Sequence, residues 1–506
     1  MQKAIGIIGG LLVFVLIALL PLDPVTIPYP AQLTAAVTGL MVIWWVTEAI
    51  PIYATALVPL VVLPLLGILS PTAAAVSYGN ETVFLFMGGF FIAAALVRWN
   101  LHRRIALSVI VLAGSETRKL VLGFMVATAF LSMWISNTAS AMMMIPIALA
   151  LVSTLMPGEK TDTKGEEEGR RQFATCLLLG VCYAATIGGM GTLIGTPPNA
   201  ILVAQSSGIF PMAPGIDFFS WMTFAVPFMA LFLLIAWFWL TYVTNRHMPE
   251  VISGTRDMIG DELKKLGPLT TAEKWTLLVF LFVAIAWIIR TPKVIGPLVI
   301  PGITTYIPGV TDASIAIGGA LVLFMLPVDA KKGIYTLNWE SAKSIPWGIL
   351  ILFGGGICLS EGIIRSGLAE IIAGSFILLA VLPLFVIILL MTLFITFLSE
   401  VVSNTAMASI MIPLMAITSV SMGINPLMLM VPAAMASSLG FMLPVGTPPN
   451  AIAYGTGCIP TKEMARAGFA LNIIGCILIT LFMTFVIPAA LGISPELPAW
   501  AVIPGV

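Results

Sequence analysis

Charge is what this sequence lacks first. Only 9% of its 506 residues are Asp, Glu, Lys or Arg, against about a quarter in a soluble globular chain. A surface facing water on all sides cannot be built from so few, which excludes an ordinary soluble protein. The charges cancel, 23 basic against 23 acidic, so the basic surplus that holds a nucleic acid is missing. Histidine is nearly absent: His102 and His247 both lie in charged loop stretches and read as solvated side chains, not ligands. The five cysteines sit in or beside apolar runs, with no CxxC pair, and read as small buried hydrophobes. Neither HExxH nor GxSxG occurs, which removes the common signatures of an intramembrane hydrolase. Strict apolar–polar alternation is also missing, which argues against a membrane β-barrel.

What fills the space is apolar: 59% of the residues, in continuous runs of about 20, enough for a helix to cross a hydrocarbon core of about 30 Å. The fold class that follows is an all-α polytopic membrane protein with about eleven transmembrane helices. Spans are expected near 4–20, 31–50, 52–69, 82–100, 172–205, 218–245, 274–290, 313–327, 345–365, 426–455 and 466–493. The first run follows a lone Lys3 and is followed by Pro21-Leu22-Asp23-Pro24, not by a small-residue cleavage site; it reads as a membrane helix and not a signal peptide.

Two further stretches, about 120–156 and 375–422, are apolar but interrupted at the middle by small and polar residues. Each could cross the membrane or turn back as a re-entrant hairpin, and charge bias separates the two readings. With a cytoplasmic N-terminus and two hairpins, nineteen basic residues fall inside and only Arg290, Lys293 and Arg365 outside, with Arg98 near the inner boundary. Basic residues concentrate on the cytoplasmic side of membrane proteins. A full crossing at either stretch would flip every later loop and destroy the bias, so two hairpins are expected, with an extracytoplasmic C-terminal tail at 494–506.

The interrupted stretches repeat each other. FLSMWISNTASAMMMIP at Phe130–Pro146 matches FLSEVVSNTAMASIMIP at Phe397–Pro413 at 11 of 17 positions, 267 residues apart. The same shift aligns Gly88-Gly89 with Gly355-Gly356 and Arg98 with Arg365. GTPPNAI occurs at Gly195–Ile201 and again at Gly446–Ile452, a shift of 251; the difference is absorbed largely by a charged loop at 156–172. Five crossings separate the hairpins, so the halves are inverted copies. That is a secondary-transporter architecture, with the site at the repeat interface near the bilayer midplane.

The motifs have a physical reading. Irregular backbone inside a membrane survives only where protein buries it or where it lines a wet cavity. Gly and Pro in GTPP break a helix and expose carbonyls and amides. Carbonyls suit a hard cation such as Na⁺; helix N-terminal amides suit an anion. From Leu120 to Met156 and from Val401 to Thr461 there is no charged side chain. An anion bound there would meet only dipoles unless a cation bound with it, which makes cation coupling natural. Ser132 and Ser399 stand four residues ahead of the triplets, one helical turn away, and could add oxygens to a cation site. Glu400 is the nearest acid.

The paired Ser-Asn-Thr triplets at 136–138 and 403–405, each followed by GTPPNA, and Thr-Glu-Ala-Ile-Pro at Thr47–Pro51 resemble the divalent anion:sodium symporter family, which includes sodium-coupled dicarboxylate, citrate and sulfate carriers. The resemblance runs from about 31 to 493. It implies a homodimer in the plasma (inner) membrane. It also implies an elevator mechanism, in which a transport domain (119–250 and 371–493) moves against a scaffold (1–118 and 251–370). It implies substrate carboxylates on Ser136, Asn137, Thr138, Ser403, Asn404 and Thr405, with Thr447 and Pro448 nearby. One sodium site maps to Ser132, Ser136, Asn137 and Gly195, the other to Ser399, Val402, Asn404 and Gly446. Family members that exchange anions without sodium tend to place a basic side chain at the sodium positions; here small neutral residues stand there, which favours symport. The charged insertion at 157–171 departs from a minimal loop and receives no function. The expectation is sodium-coupled symport of a divalent anion, a C4-dicarboxylate such as succinate first. Sodium-independent exchange, and citrate or sulfate as substrate, stay open.

Overall fold

The computed structural model describes residues 2–24, 27–154, 164–251, 255–295, 298–369, 371–372 and 381–501. Helices dominate it. Short antiparallel strand pairs, Lys293–Ile295 with Leu298–Ile300 and Pro327–Asp329 with Ile334–Tyr335, occupy loops. Among the described residues eight helices are long and apolar enough to cross a membrane. Seven coincide with expected spans; the eighth, Asn404–Ser421, is an arm of the second interrupted stretch.

The other expected spans, apart from the first, are shorter than the sequence suggested. The 52–69 run is not one helix but two, Ile52–Thr55 and Val58–Leu65. Pro51, Pro59 and Pro64 remove backbone donors at this point, and eight residues rise only about 12 Å. The 313–327 run becomes Asp312–Met325 and the first run Gln2–Leu19. Several helices were not expected, among them Leu101–Leu112 and Thr255–Lys265. The charged faces of these two bind each other and the first turn of Thr271–Ile289 through Arg103–Glu262 (2.8 Å) and Arg104–Glu273 (2.7 Å). The charged loop at 157–171 lies partly outside the described residues, as do the start of the 375–422 stretch and the last five residues of the tail.

The repeat is written into the helix boundaries. Thr117–Ser132 and Leu384–Ser399 are both 16 residues and begin 267 apart; Asn137–Thr154 and Asn404–Ser421 are both 18, at the same shift. Ahead of them, Tyr29–Thr47 and Thr271–Ile289 are both 19. Each carries near its end a Trp, Trp45 or Trp287, whose indole N–H donates to the first carbonyl of a later helix, Ile52 O at 3.1 Å or Asp312 O at 3.0 Å. A buried indole N–H needs such an acceptor, so each Trp fixes the angle between two helices.

The Gly-Gly pairs explain how the halves interlock. A methyl on Gly88 would sit 2.6 Å from Ala316, and one on Gly355 would strike the Ala56 carbonyl. Each glycine therefore admits the short helix of the opposite half, as small residues do at close helix crossings in membranes.

Side-chain ties sort the loops into two faces. Trp99 bonds Thr336 O, Arg104 bonds Glu273, Thr117 N bonds Glu250 O, and Arg171 pairs with Glu463; Tyr53 packs on Gly348. These residues share one face, together with Glu48, the last residue before Ala49 and the Tyr53 turn. Arg290, Asp217 and Asp312 meet on the other face. Tyr29–Thr47 ends on the first face and Thr271–Ile289 on the second, so the two halves run in opposite senses.

Candidate functional site

Each 16-residue arm stops at its polar interruption, and the chain turns back into the 18-residue arm. Asn137 and Asn404 open the returning helices, with Ser136 and Ser403 as the residues just before. Ser136 Oγ accepts from Ala139 N at 3.3 Å and so caps its helix. Ser403 makes no such bond. The GTPP segments break two more helices. Lys164–Gly189 stops and Pro197–Ile209 begins; Leu427–Ser437 stops and Pro448–Gly455 begins. Thr447 Oγ1 caps its helix through Asn450 N at 3.4 Å, whereas the equivalent Thr196 makes no cap bond.

Four helix N-termini therefore converge, at Asn137, Pro197, Asn404 and Pro448. They converge on one cavity of about 1100 Å³, lined by both Ser-Asn-Thr triplets, both Gly-Thr-Pro segments and the opposing wall formed by Thr47, Glu48, Tyr53, Phe86 and Phe90. Glu48 is its one charged lining residue. Each helix N-terminus carries about half a positive charge; the starts at Asn137 and Asn404 add unpaired N–H groups, whereas the Pro-Pro starts at 197–198 and 448–449 have no N–H at their first two positions. An anion in this cavity would meet four such termini and no Lys or Arg.

Behind the first triplet lies a knot of oxygens. Asn137 Oδ1 is 2.7 Å from Ser132 Oγ and 3.2 Å from the carbonyls of Ala185 and Gly195. Ser132 is fully buried and its hydroxyl donates to Ala185 O at 2.6 Å. Together these oxygens, 2.6–3.2 Å apart, outline a small cage of the donor type that hard cations take. Turned end for end, the Asn137 amide nitrogen would donate to all three oxygens; the cage then closes by hydrogen bonds. The same side chain thus serves the knot with or without a cation. Two glycines make room for it: a Cβ on Gly189 would collide with Asn137 Oδ1, and one on Gly195 with Gly189 O.

The second triplet has a related but unequal surrounding. Ser399 is fully buried and donates to Thr396 O or Leu439 O, both at 2.9 Å. Asn404 Oδ1 is buried with no hydrogen-bond partner, and an unmet buried amide oxygen is a costly group that a cation would satisfy. Val402 is buried beside it. Gly446 faces the carboxylate of Glu400, whose Oε2 would lie 2.8 Å from an added Cβ. Glu400 is buried and accepts from Met442 N (2.8 Å), Leu443 N (3.0 Å) and Asn472 Nδ2 (2.6 Å). It has no Lys or Arg partner among the described residues. A carboxylate held so in a membrane interior favours a cation nearby.

All the sequence-expected site residues thus gather at the hairpin tips and helix breaks. The structure adds others. Thr196 and Pro197 line the cavity opposite Thr447 and Pro448; the duplicated GTPPN contained that signal. Asn199 and Asn450, five residues into the two motif copies starting at Gly195 and Gly446, hold the breaks together. Asn199 Nδ2 donates to the carbonyls of Gly189, Met190 and Thr192, and Asn450 Nδ2 to those of Gly440 and Leu443. The Gly189–Gly440 and Thr192–Leu443 acceptors are themselves 251 apart, so the clamp is a feature of both halves. Glu48, Tyr53, Phe86 and Phe90 come from elements remote in sequence and carried no signal as site residues.

The profile of the sodium:sulfate symporter transmembrane region matches residues 2–490. The chain is similar to the sodium-dependent dicarboxylate transporter SdcS of Staphylococcus saprophyticus, 42% identical over 98% of this chain and 93% of the relative. It is likewise similar to SdcS of Staphylococcus aureus, 43% identical over the same shares. Among solved structures its fold resembles YdaH of Alcanivorax borkumensis, with TM-score 0.56, 15% identity and coverage of 90% of this chain and 99% of that one. It also resembles MtrF of Neisseria gonorrhoeae, with TM-score 0.53, 15% identity and coverage of 82% and 84%. With the profile matched from end to end and two relatives above 40% identity, the chain belongs to the sodium:sulfate symporter family of multi-pass membrane transporters.

Proposed function

We propose that this protein carries a dicarboxylate, a C4 acid such as succinate first, across the plasma membrane together with Na⁺. The observation that carries the reading is the convergence of four helix N-termini on a cavity without Lys or Arg, beside the oxygen knot around Asn137. Dipoles alone hold a dianion weakly; sodium ions bound behind the triplets supply the missing positive charge. The relatives named sodium-dependent dicarboxylate transporters support the same pairing of substrate and ion.

In this reading Ser132, Ser136, Asn137 and Gly195 hold one sodium ion, with the Ala185 carbonyl. Ser399, Val402, Asn404 and Gly446 hold the other, with Glu400 adding negative charge beside it. The substrate carboxylates lie on Ser136, Asn137, Thr138, Ser403, Asn404 and Thr405, flanked by Thr447 and Pro448. The free hydroxyls of Ser403 and Thr196 join them. Sodium binds first and fixes the tips, and the dianion follows.

Residues 119–250 and 371–493 move as the transport domain against a scaffold of 1–118 and 251–370. The N-terminus is cytoplasmic, the C-terminus extracytoplasmic, and the cavity faces the cytoplasm because the Glu48 face carries most of the basic loops. Assembly as a homodimer follows from the family resemblance.

The test is uptake of labelled succinate into proteoliposomes, with an inward Na⁺ gradient, with equal Na⁺, and with none. Accumulation under the gradient alone, competed by unlabelled succinate better than by citrate or sulfate, supports the reading. Counterflow in the complete absence of Na⁺ would instead mark an exchanger, and preferred competition by citrate or sulfate would change the substrate.

A further inference from the structure

One equivalent position of the two halves, just after the matching 19-residue helices, carries opposite charges, Glu48 and Arg290. The residue that ends Thr271–Ile289 is Arg290. It lies 3.3 Å from Asp217 Oδ2 and 2.5 Å from Asp312 Oδ1, the latter an ion pair without hydrogen-bond alignment. Asp217 caps Phe218–Phe238 of the transport domain, and Asp312 Oδ2 accepts from Phe218 N at 3.1 Å. Thr291 Oγ1 adds a bond to Asp217, Lys293 stands 3.8 Å over the Phe219 ring, and Phe218 stacks on Trp287 at 4.1 Å. On this face a scaffold cation holds a transport-domain anion across the seam, at the edge of a cavity of about 350 Å³.

The residue that ends the matching helix Tyr29–Thr47 is Glu48, in a left-handed conformation (φ 45°). Its carboxylate is exposed in the cavity and makes no ion pair or hydrogen bond among the described residues. The place of Phe218–Phe238 is taken in the second half by Thr461–Phe485. Its first turn carries Lys462, also exposed and without an ion pair among the described residues. Thr461 Oγ1 reaches Tyr454 at the end of the short helix whose start lines the cavity, about 12 Å away for eight residues. The tips follow the same rule. Trp134 of the first tip docks on scaffold Phe280 at 4.7 Å, while its counterpart Val401 stands 73% exposed in the open cavity wall.

We propose that the two seams are alternating ionic latches of opposite polarity. Arg290 with Asp217 and Asp312 latches one face in the conformation seen here. Glu48 with Lys462 closes the other face when the transport domain has moved. The inference rests on the elevator reading above. It also gives Glu48 a second consequence: while unpaired, its negative charge lies in the path of a departing dianion and disfavours rebinding.

The test uses the full-length transporter with Cys458, the half-buried native thiol near Lys462, changed to Ser. Glu48→Cys and Lys462→Cys are combined and treated with a short bis-maleimide. Cross-linking that lowers transport of the double variant below that of each single Cys variant treated alike is the expected result. Charge reversal gives an independent measure. Glu48→Lys and Lys462→Glu should each slow maximal uptake about threefold or more, and the double reversal should restore it, as a direct pair requires. Both sites are exposed, so folding is not at stake. Absence of the cross-link, together with a double reversal no faster than the singles, overturns the latch. Cross-linking is read on purified protein and does not depend on which anion or cation is carried. A failed sodium-driven succinate assay with a formed cross-link would therefore sink the functional reading and leave the latch standing.

Discussion

The Asn137 side chain shows how a neutral residue can serve a charged site. Its amide lies against the oxygens of Ser132, Ala185 and Gly195, nitrogen inward as a donor or oxygen inward as a cation ligand, and the space it needs exists only because position 189 is glycine. Gly189→Ala should therefore raise the Na⁺ concentration for half-maximal uptake by at least about tenfold, or abolish uptake, a loss of about 1.4 kcal/mol or more. Unchanged sodium dependence would remove Asn137 from the cation site. Ser403 and Ser136 should separate in a different assay. Ser136 caps its own helix and Ser403 does not. Ser403→Ala should weaken substrate binding with little loss of thermal stability, whereas Ser136→Ala should lower both, the cap alone being worth about 1 kcal/mol. Equal stability losses would contradict the distinction. At this scale the sequence was informative wherever a residue was duplicated, as with the two triplets, Ser132 with Ser399, and Thr196 with Thr447. Glu48 was invisible as a site residue because its counterpart is Arg290, and a repeat that inverts charge does not align by identity.

Helix breaks are the elements that make the cavity, and asparagine clamps hold them. Asn450 Nδ2 donates to two loop carbonyls and Asn199 Nδ2 to three. Asn450→Ala leaves two buried carbonyls short of a donor, at about 1–3 kcal/mol for each unsatisfied group. A lowered melting temperature in detergent, partly recovered by added Na⁺ and succinate, is expected; a melting curve unchanged from the parent would show the break is held by other means. The Pro-Pro and Gly residues announced these breaks from sequence alone, since no continuous helix accommodates them. Helix lengths were less legible. The 52–69 run is mostly apolar, yet it holds two prolines, Pro59 and Pro64, and folds as pieces too short to cross. Leu101–Leu112 and Thr255–Lys265 were missed because their charged faces look like loop. The pairs Arg103–Glu262 and Arg104–Glu273 tie them to each other and to Thr271–Ile289.

For the molecule as a whole, inversion is the organising fact. It places one triplet on each side of the cavity, and one Trp-anchored helix pair on each face of the scaffold. Inversion was readable from the 267-residue shift combined with the distribution of basic loops. The interlocking of the halves was not, because the partners of Gly88 and Gly355 lie far away in sequence, at Ala316 and Ala56. Gly355→Val should prevent a stable scaffold from forming, read as loss of folded protein in the membrane fraction; normal yield and uptake would refute that packing. The central claim is that cations complete an anion site built only from dipoles. The most direct measurement is the succinate concentration for half-maximal binding to purified protein at a series of Na⁺ concentrations, with choline keeping ionic strength constant. The account predicts an affinity that rises steeply with Na⁺ and is barely detectable without it. An affinity that stays flat from zero to saturating Na⁺ would contradict it.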